Sequence, residues 1–255
     1  MEPLFNFQPS NDWIKLQASV TYRDQWSGFN GNPRSFLGNY GTLLKGKHGL
    51  GLSFIAQEIG IQKLQNVVLN YSYRMKIKGS EEHFFTAGIG AGMGMTYFDY
   101  STVSQIVDPY LISGRTTFPR INLGLTYHWN KLTVGLSSTQ VNANPGASGN
   151  YRPETHFFGM AEYTIDISNS FIVLPRVMYR TDGNVQTAEM NLMATYLKKY
   201  SLGFGLRNTN AYSFSAQIDL KEKFRIGYAY EVTNSKLNNG ILNPTHEFVL
   251  GFLLK

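Results

Sequence analysis

Ile14-Lys15-Leu16-Gln17-Ala18-Ser19-Val20-Thr21-Tyr22-Arg23 alternates apolar and polar residues without a break. Side chains along a β-strand point to opposite faces in turn. One wall of this segment is therefore Ile14, Leu16, Ala18, Val20 and Tyr22, and the other is Lys15, Gln17, Ser19, Thr21 and Arg23. The same alternation recurs along nearly the whole chain, in about fourteen segments, which predicts an all-β fold: a transmembrane, antiparallel, up-and-down β-barrel.

The later segments repeat the pattern. Asn66–Ile77 sets Val67, Leu69, Tyr71, Tyr73, Met75 and Ile77 against Asn66, Val68, Asn70, Ser72, Arg74 and Lys76. Phe85–Tyr97 sets Phe85, Ala87, Ile89, Ala91, Met93, Met95 and Tyr97 against Thr86, Thr96 and a row of glycines, Gly88, Gly90, Gly92 and Gly94. Further strands are predicted at Ser35–Leu44, Gly49–Gln57, Arg120–Trp129, Lys131–Ser138, His156–Ile167, Phe171–Arg180 and Val185–Tyr196. Four more follow at Tyr200–Arg207, Ala211–Leu220, Phe224–Thr233 and Thr245–Leu254.

Short links, such as 45–48, 78–82, 168–169, 197–199 and 221–223, alternate with longer ones at 24–34, 99–119, 139–155 and 234–244. Outer-membrane barrels pair short periplasmic turns with longer outer loops in this way, which puts both termini on the periplasmic side.

Composition agrees. Charged residues make up 16% of the 255-residue chain, below the roughly 25% of soluble domains, while 16 Tyr and 17 Phe are present. No run approaches the roughly 18 apolar residues of a spanning helix, and a mean hydropathy of −0.23 suits strands wet on one side. With no cysteine, thiol catalysis, thiolate metal sites and disulfides are excluded. No linker divides the chain, so residues 13–255 are read as one barrel domain after an N-terminal segment, 1–12. That segment lacks the basic and apolar regions of a secretory signal, which implies a mature or trimmed form. The net charge of +6 is carried by scattered Lys and Arg, not by a stripe that could track phosphates, so nucleic acid is not an expected partner.

Face assignment has an energetic check. Arg or Lys in the hydrocarbon costs about 2–4 kcal/mol, and a one-residue slip would turn Arg23, Arg74, Arg120, Arg207 and Arg225 outward together. A soluble sandwich would instead bury the apolar faces between two sheets. Tyr22, Tyr97, Tyr127, Trp129, Tyr196, Tyr228 and Tyr230 fall near strand ends on the apolar face, where an interfacial girdle belongs.

On the inward face, Arg23, Arg74, Arg120, Arg207 and Arg225 meet Glu162, Glu189, Asp219, Glu231 and Glu247 as candidates for a lumen network. Such a network could brace the barrel or line an aqueous path. The glycine row would admit an infolded loop or allow sharp curvature, and its spacing and strand context exclude a nucleotide-binding motif. Segment 99–119, with Val103, Ile106, Val107, Tyr110 and Leu111, could plug the lumen or meet a partner. The five histidines, His48, His83, His128, His156 and His246, sit near strand ends without metal-ligand spacing. No catalytic, cofactor or metal site is therefore expected, and no enzyme.

Two stretches resemble a known family. Tyr22-Arg23-Asp24-Gln25-Trp26-Ser27-Gly28-Phe29-Asn30-Gly31-Asn32-Pro33 resembles the first-loop pattern of the PorP/SprF family. Phe224-Arg225-Ile226-Gly227-Tyr228-Ala229-Tyr230-Glu231, with His246-Glu247-Phe248-Val249-Leu250-Gly251, resembles its closing hairpin. The short Asn-Pro-Ala-type segment with which members begin is not evident in 1–12. The resemblance implies an outer-membrane component of the type IX secretion system, beside the translocon and periplasmic ring proteins. It also implies export or surface anchoring of adhesins through a cargo's C-terminal domain, with gliding motility in some bacteria.

The alternative is a porin-like or substrate-specific channel. For partner binding, the outer-loop residues Arg23, Gln25, Trp26, Phe29, Pro33, Tyr110 and Tyr151 are the candidates, although Arg23 and Trp26 could equally pack the first loop onto the rim. The turn lysines Lys45, Lys47, Lys198, Lys199, Lys221 and Lys223 could touch a periplasmic partner, or simply be solvated.

Overall fold

In a computed structural model, the chain is described at residues 16–77, 82–100, 113–141, 153–235, 240–241 and 243–254. The first strands are β1 (Leu16–Asp24), β2 (Arg34–Leu44), β3 (His48–Ile59), β4 (Gln62–Lys76), β5 (His83–Phe98), β6 (Gly114–Trp129), β7 (Leu132–Thr139) and β8 (His156–Tyr163). They continue as β9 (Ile165–Ser168), β10 (Phe171–Thr181), β11 (Gln186–Tyr196), β12 (Tyr200–Arg207), β13 (Ala211–Leu220), β14 (Phe224–Ser235), β15 (Gly240–Ile241) and β16 (Thr245–Leu254).

All pairings are antiparallel; they join sequence neighbours except that β10 also pairs with β8, β14 with β16, and β16 with β1, from Leu16↔Leu254 to Asp24↔His246. With β10 paired to β11 from Phe171↔Tyr196 to Thr181↔Gln186, no open edge interrupts the ring. Strands β8 and β9 keep one register against β10 as far as Ile172, Arg176↔Glu162 and Val173↔Ile165, before a bulge at Phe171, and form a single stave. The two-residue β15 lies off the ring, against β14. What remains is a closed barrel of 14 staves.

The predicted faces hold. On β4, Leu69 is 67% exposed while its neighbour Val68 is 5% exposed. Exposed Val20, Tyr22, Ile89, Met93, Leu123, Leu136, Leu202, Phe214 and Leu250 continue the outer wall around the ring. The apolar residues are outside and the packed interior is the lumen, the reverse of a soluble domain.

The structure revises three sequence predictions. Strand β6 starts at Gly114, not Arg120, because Thr116, Thr117 and Phe118 pair with Thr96, Met95 and Gly94 of β5. Pro119, which reads as a loop residue, is tolerated there because β7 joins β6 only from Leu123↔Ser138 onward. Strand β4 starts at Gln62, paired to Ile59, and the segment His156–Ile167 is broken at Thr164.

The glycine row on β5 has a steric reason. A Cβ on Gly92 would collide with the Val67 carbonyl, and one on Gly94 with the Phe118 ring. Asn66, Val68, Asn70 and Phe118 lean over the bare backbone, so cross-strand side chains fill the trough. The N-terminal segment 1–12 and most of 99–119, including Val103, Ile106, Val107, Tyr110 and Leu111, lie outside the described residues.

Two outcomes check this arrangement in equilibrium unfolding from lipid vesicles. Leu69→Arg is expected to cost about 2–4 kcal/mol by placing a guanidinium among acyl chains. Gly92→Ala is expected to cost about 1–3 kcal/mol, because the clash is with backbone that cannot rotate aside.

Candidate functional site

The inward residues nearest the long-loop end join into one ion-pair belt. Arg207 on β12 donates from Nε to Glu189 on β11 at 2.6 Å, and from Nη1 to Glu231 on β14 at 3.2 Å. Arg23 on β1 reaches the same Glu231 at 3.0 Å and Glu247 on β16 at 3.3 Å. Glu231 is thus shared by two guanidinium groups and its side chain is only 8% exposed. Register places the partners across intervening staves: β13 lies between β12 and β14, and β16 between β14 and β1. The belt therefore fastens the seam where the first and last strands meet.

Two further pairs line the lumen. Arg225 and Asp219 face each other with both bonds at 2.8 Å, near the short-turn end. Arg176 donates from Nε to Glu162 at 2.7 Å, on adjacent β10 and β8. Arg176 is absent from the inward set predicted above, yet the alternation carried the signal, since outward Pro175 and Val177 flank it. Arg74 does not join the belt: its guanidinium lies 4.5 Å from the centroid of the Phe84 ring, which stacks on His128 at 4.7 Å. Arg120 is buried on the inner wall of β6.

Chemically the belt can brace. Its two arginines meet three carboxylates, and charge-assisted bonds of this kind are short and directional. The histidines fall at strand ends as predicted and serve as ring partners: His48 with Tyr71 at 2.9 Å, His246 with Tyr228 at 2.7 Å, and His83 edge-on to Trp129. Among the described residues, no three His, Cys, Asp or Glu side chains gather where a metal could sit.

The first outer loop is folded down. Ser27 N–H donates to the Pro244 carbonyl, Trp26 N–H to Thr245 Oγ1, Gln25 N–H to the Pro33 carbonyl, and Gly60 N–H to the Gly31 carbonyl. Asn32 is buried and its amide bridges Asp24 and the Gln25 carbonyl. Trp26 is half-buried on this rim with a positive φ of 55°, and Gln25 and Pro33 are half-buried beside it. Phe29 is 63% exposed, so of this group it is the side chain presented to solvent. Arg23 belongs to the belt. Tyr110 and Tyr151 lie outside the described residues.

On the loop between β10 and β11, Asp182 accepts N–H groups from Val185 at 2.7 Å and Asn184 at 2.9 Å. These bonds hold its carboxyl below the usual carboxylate range.

A family model described as type IX secretion system membrane protein PorP/SprF matches residues 14–252. No curated protein matches the chain. Among solved structures, the outer membrane protein Omp33 of Acinetobacter baumannii superposes with a TM-score of 0.52 at 10% identity, covering 94% of this chain and 98% of its own. A mutant of Rh. blastica porin matches at TM-score 0.41 and 10% identity, over 94% of this chain and 100% of the porin. At 10% identity the likeness to Omp33 is one of fold.

The bracing role predicts the effect of Glu231→Gln. Removing the shared charge leaves two arginines short of a partner, at a cost of about 2–4 kcal/mol. Unfolding in lipid should show that loss with the barrel's strand content unchanged.

Proposed function

Because the chain belongs to the PorP/SprF family of type IX secretion system membrane proteins, we propose that it aids export or surface anchoring of secreted proteins by binding partner proteins. It does so as an outer-membrane barrel without enzymatic activity. The partners are the secretion translocon, periplasmic ring proteins, and cargo through its C-terminal domain. In gliding bacteria the cargo includes large surface adhesins. Residues 13–255 act as one barrel domain.

The observation that carries this reading is the pairing of a braced inner wall with a folded outer rim. The arginines of the belt are each met by carboxylates, so those charges stabilise the wall and are not left to attract a permeating ion. The first loop, by contrast, is tied to the β3–β4 turn and to the approach to β16, and holds Phe29 out to solvent. An exposed aromatic on a pre-ordered loop is a suitable interface anchor, because little freedom is lost when it docks. Trp26 sets the rim under it, and Arg23, Gln25 and Pro33 support the loop.

Affinity purification of the tagged barrel from native membranes, with the bound proteins identified, tests the proposal. Secretion components or cargo C-terminal domains are expected among them, and Phe29→Ala should lower cargo recovery while the barrel stays folded. Recovery of porins alone, together with steady single-channel currents in planar bilayers, would replace this reading with a channel.

A further inference from the structure

Three of the short turns share one construction. Leu44-Lys45-Gly46-Lys47-His48 joins β2 to β3, Tyr196-Leu197-Lys198-Lys199-Tyr200 joins β11 to β12, and Leu220-Lys221-Glu222-Lys223-Phe224 joins β13 to β14. In each, the N–H of the fourth residue donates to the carbonyl of the first: Lys47 to Leu44 at 3.1 Å, Lys199 to Tyr196 at 3.0 Å, Lys223 to Leu220 at 3.0 Å. The two residues between have positive φ: 51° and 66°, 53° and 52°, 51° and 55°. These are mirror-image hairpin turns, whose best residues are Asn-Gly.

Two of the three turns contain neither Asn nor Gly. Leu197-Lys198 and Lys221-Glu222 hold a Cβ in the left-handed region at both positions, a conformation that L side chains disfavour. The fourth residue is lysine every time. Its carbonyl is then caught by the next stave, by the N–H of Arg74 at 2.8 Å, Asp219 at 2.8 Å and Leu253 at 2.7 Å respectively. Each lysine-bearing turn is therefore fixed on both sides.

The placement is one-sided. Around the ring the staves run β11, β12, β13, β14, β16, β1, β2, β3, so the three turns occupy one continuous arc of the short-turn rim. Lys45, Lys47, Lys198, Lys199, Lys221 and Lys223 are all exposed, and Glu222 is the one carboxylate in the three turns, which leaves those turns at +5. Across the rim, Lys131 is paired with Asp166 at 3.0 Å, and the β9–β10 turn is Asn169-Ser170.

We propose that this arc is a docking surface for an acidic face of a periplasmic protein of the secretion assembly. The inference deepens the secretion reading and rests on it. A lipid leaflet surrounds a barrel on every side and would be matched by net positive charge all round the rim, whereas among the described residues the three pinned lysine turns lie together on one arc. Strained, pinned turns also present their lysines from a fixed backbone, so docking orders side chains only. Charge complementarity of this kind governs partner choice and encounter rate.

Charge reversal tests it: Lys47→Glu, Lys199→Glu and Lys223→Glu together, in the full barrel purified from native membranes. Folding is checked by heat-dependent gel mobility. Wild type should recover a periplasmic secretion component in a salt-sensitive manner, and the triple variant at least about tenfold less. Zero-length carbodiimide coupling of wild type should join the arc lysines to Asp or Glu of that component.

A folded triple variant with undiminished recovery, or arc lysines that couple only within this chain, overturns the proposal. So does weakened binding of the triple variant to phosphatidylglycerol vesicles with protein recovery intact, which assigns the arc to lipid. Should the triple variant fail to fold, a second variant decides. Lys45→Asn, Leu197→Asn, Lys198→Gly, Lys221→Asn and Glu222→Gly relax the turns and remove three lysines, and full recovery with this variant also overturns the proposal. If wild type recovers no secretion component, the secretion reading falls, and the arc with it. Loss confined to the variants leaves that reading standing.

Discussion

A bilayer core has no water to satisfy a backbone N–H or C=O, so a sheet that crosses it must pair every strand on both sides. Everything else in this structure follows from that constraint. The first and last strands must meet, which they do over the full length of β1. Once the ring is closed, each strand has a lipid wall and a lumen wall, and the sequence has to serve both at alternate residues. Soluble proteins put Leu and Phe in the middle. Here most of them form the coat, and the middle is left largely to polar side chains that must find one another.

The belt is how they do so at the outer end. Closing the ring brings β14, β16 and β1 side by side although their residues are far apart in sequence, and Glu231 sits where arginines from β12 and β1 converge. In a low-dielectric wall a shared carboxylate is worth keeping only if both guanidinium groups reach it. Elsewhere the lumen is packed by different means: Arg225 with Asp219, Arg176 with Glu162, Arg74 over Phe84, and the glycine row of β5 filled from its neighbours.

The two ends of the barrel are built for different work. Of the four long outer links, the one described in full is a compact loop tied to two other connections. Among the described residues, the opposite end carries tight turns whose backbones are pinned by adjacent strands, some in conformations that their residues disfavour. A flexible rim would blur any surface it carried. A rigid one can present charge in a fixed pattern, which is why lysines at these turns differ in consequence from lysines on an ordinary loop.

The alternation by itself determined the strand number, the two faces and which arginines look inward, because a one-residue slip would drive guanidinium groups into hydrocarbon. It also determined the alternation of long and short links, and the residues that tie the chain to its family stand in the primary sequence at Tyr22–Pro33 and Phe224–Gly251. Pairing was not legible. That Glu231 serves both Arg23 and Arg207, that Arg74 lies on Phe84, and that Arg176 bonds Glu162 all depend on stagger between strands, which period-2 reading cannot supply. The first loop was equally hidden: Trp26 and Phe29 look alike as aromatics, and only contacts with Pro244, Thr245 and Gly60 decide that one is packed and the other presented. Closure did the rest, by setting three lysine turns on one arc of the rim. Their adjacency is a property of the ring, and no local stretch of sequence contains it.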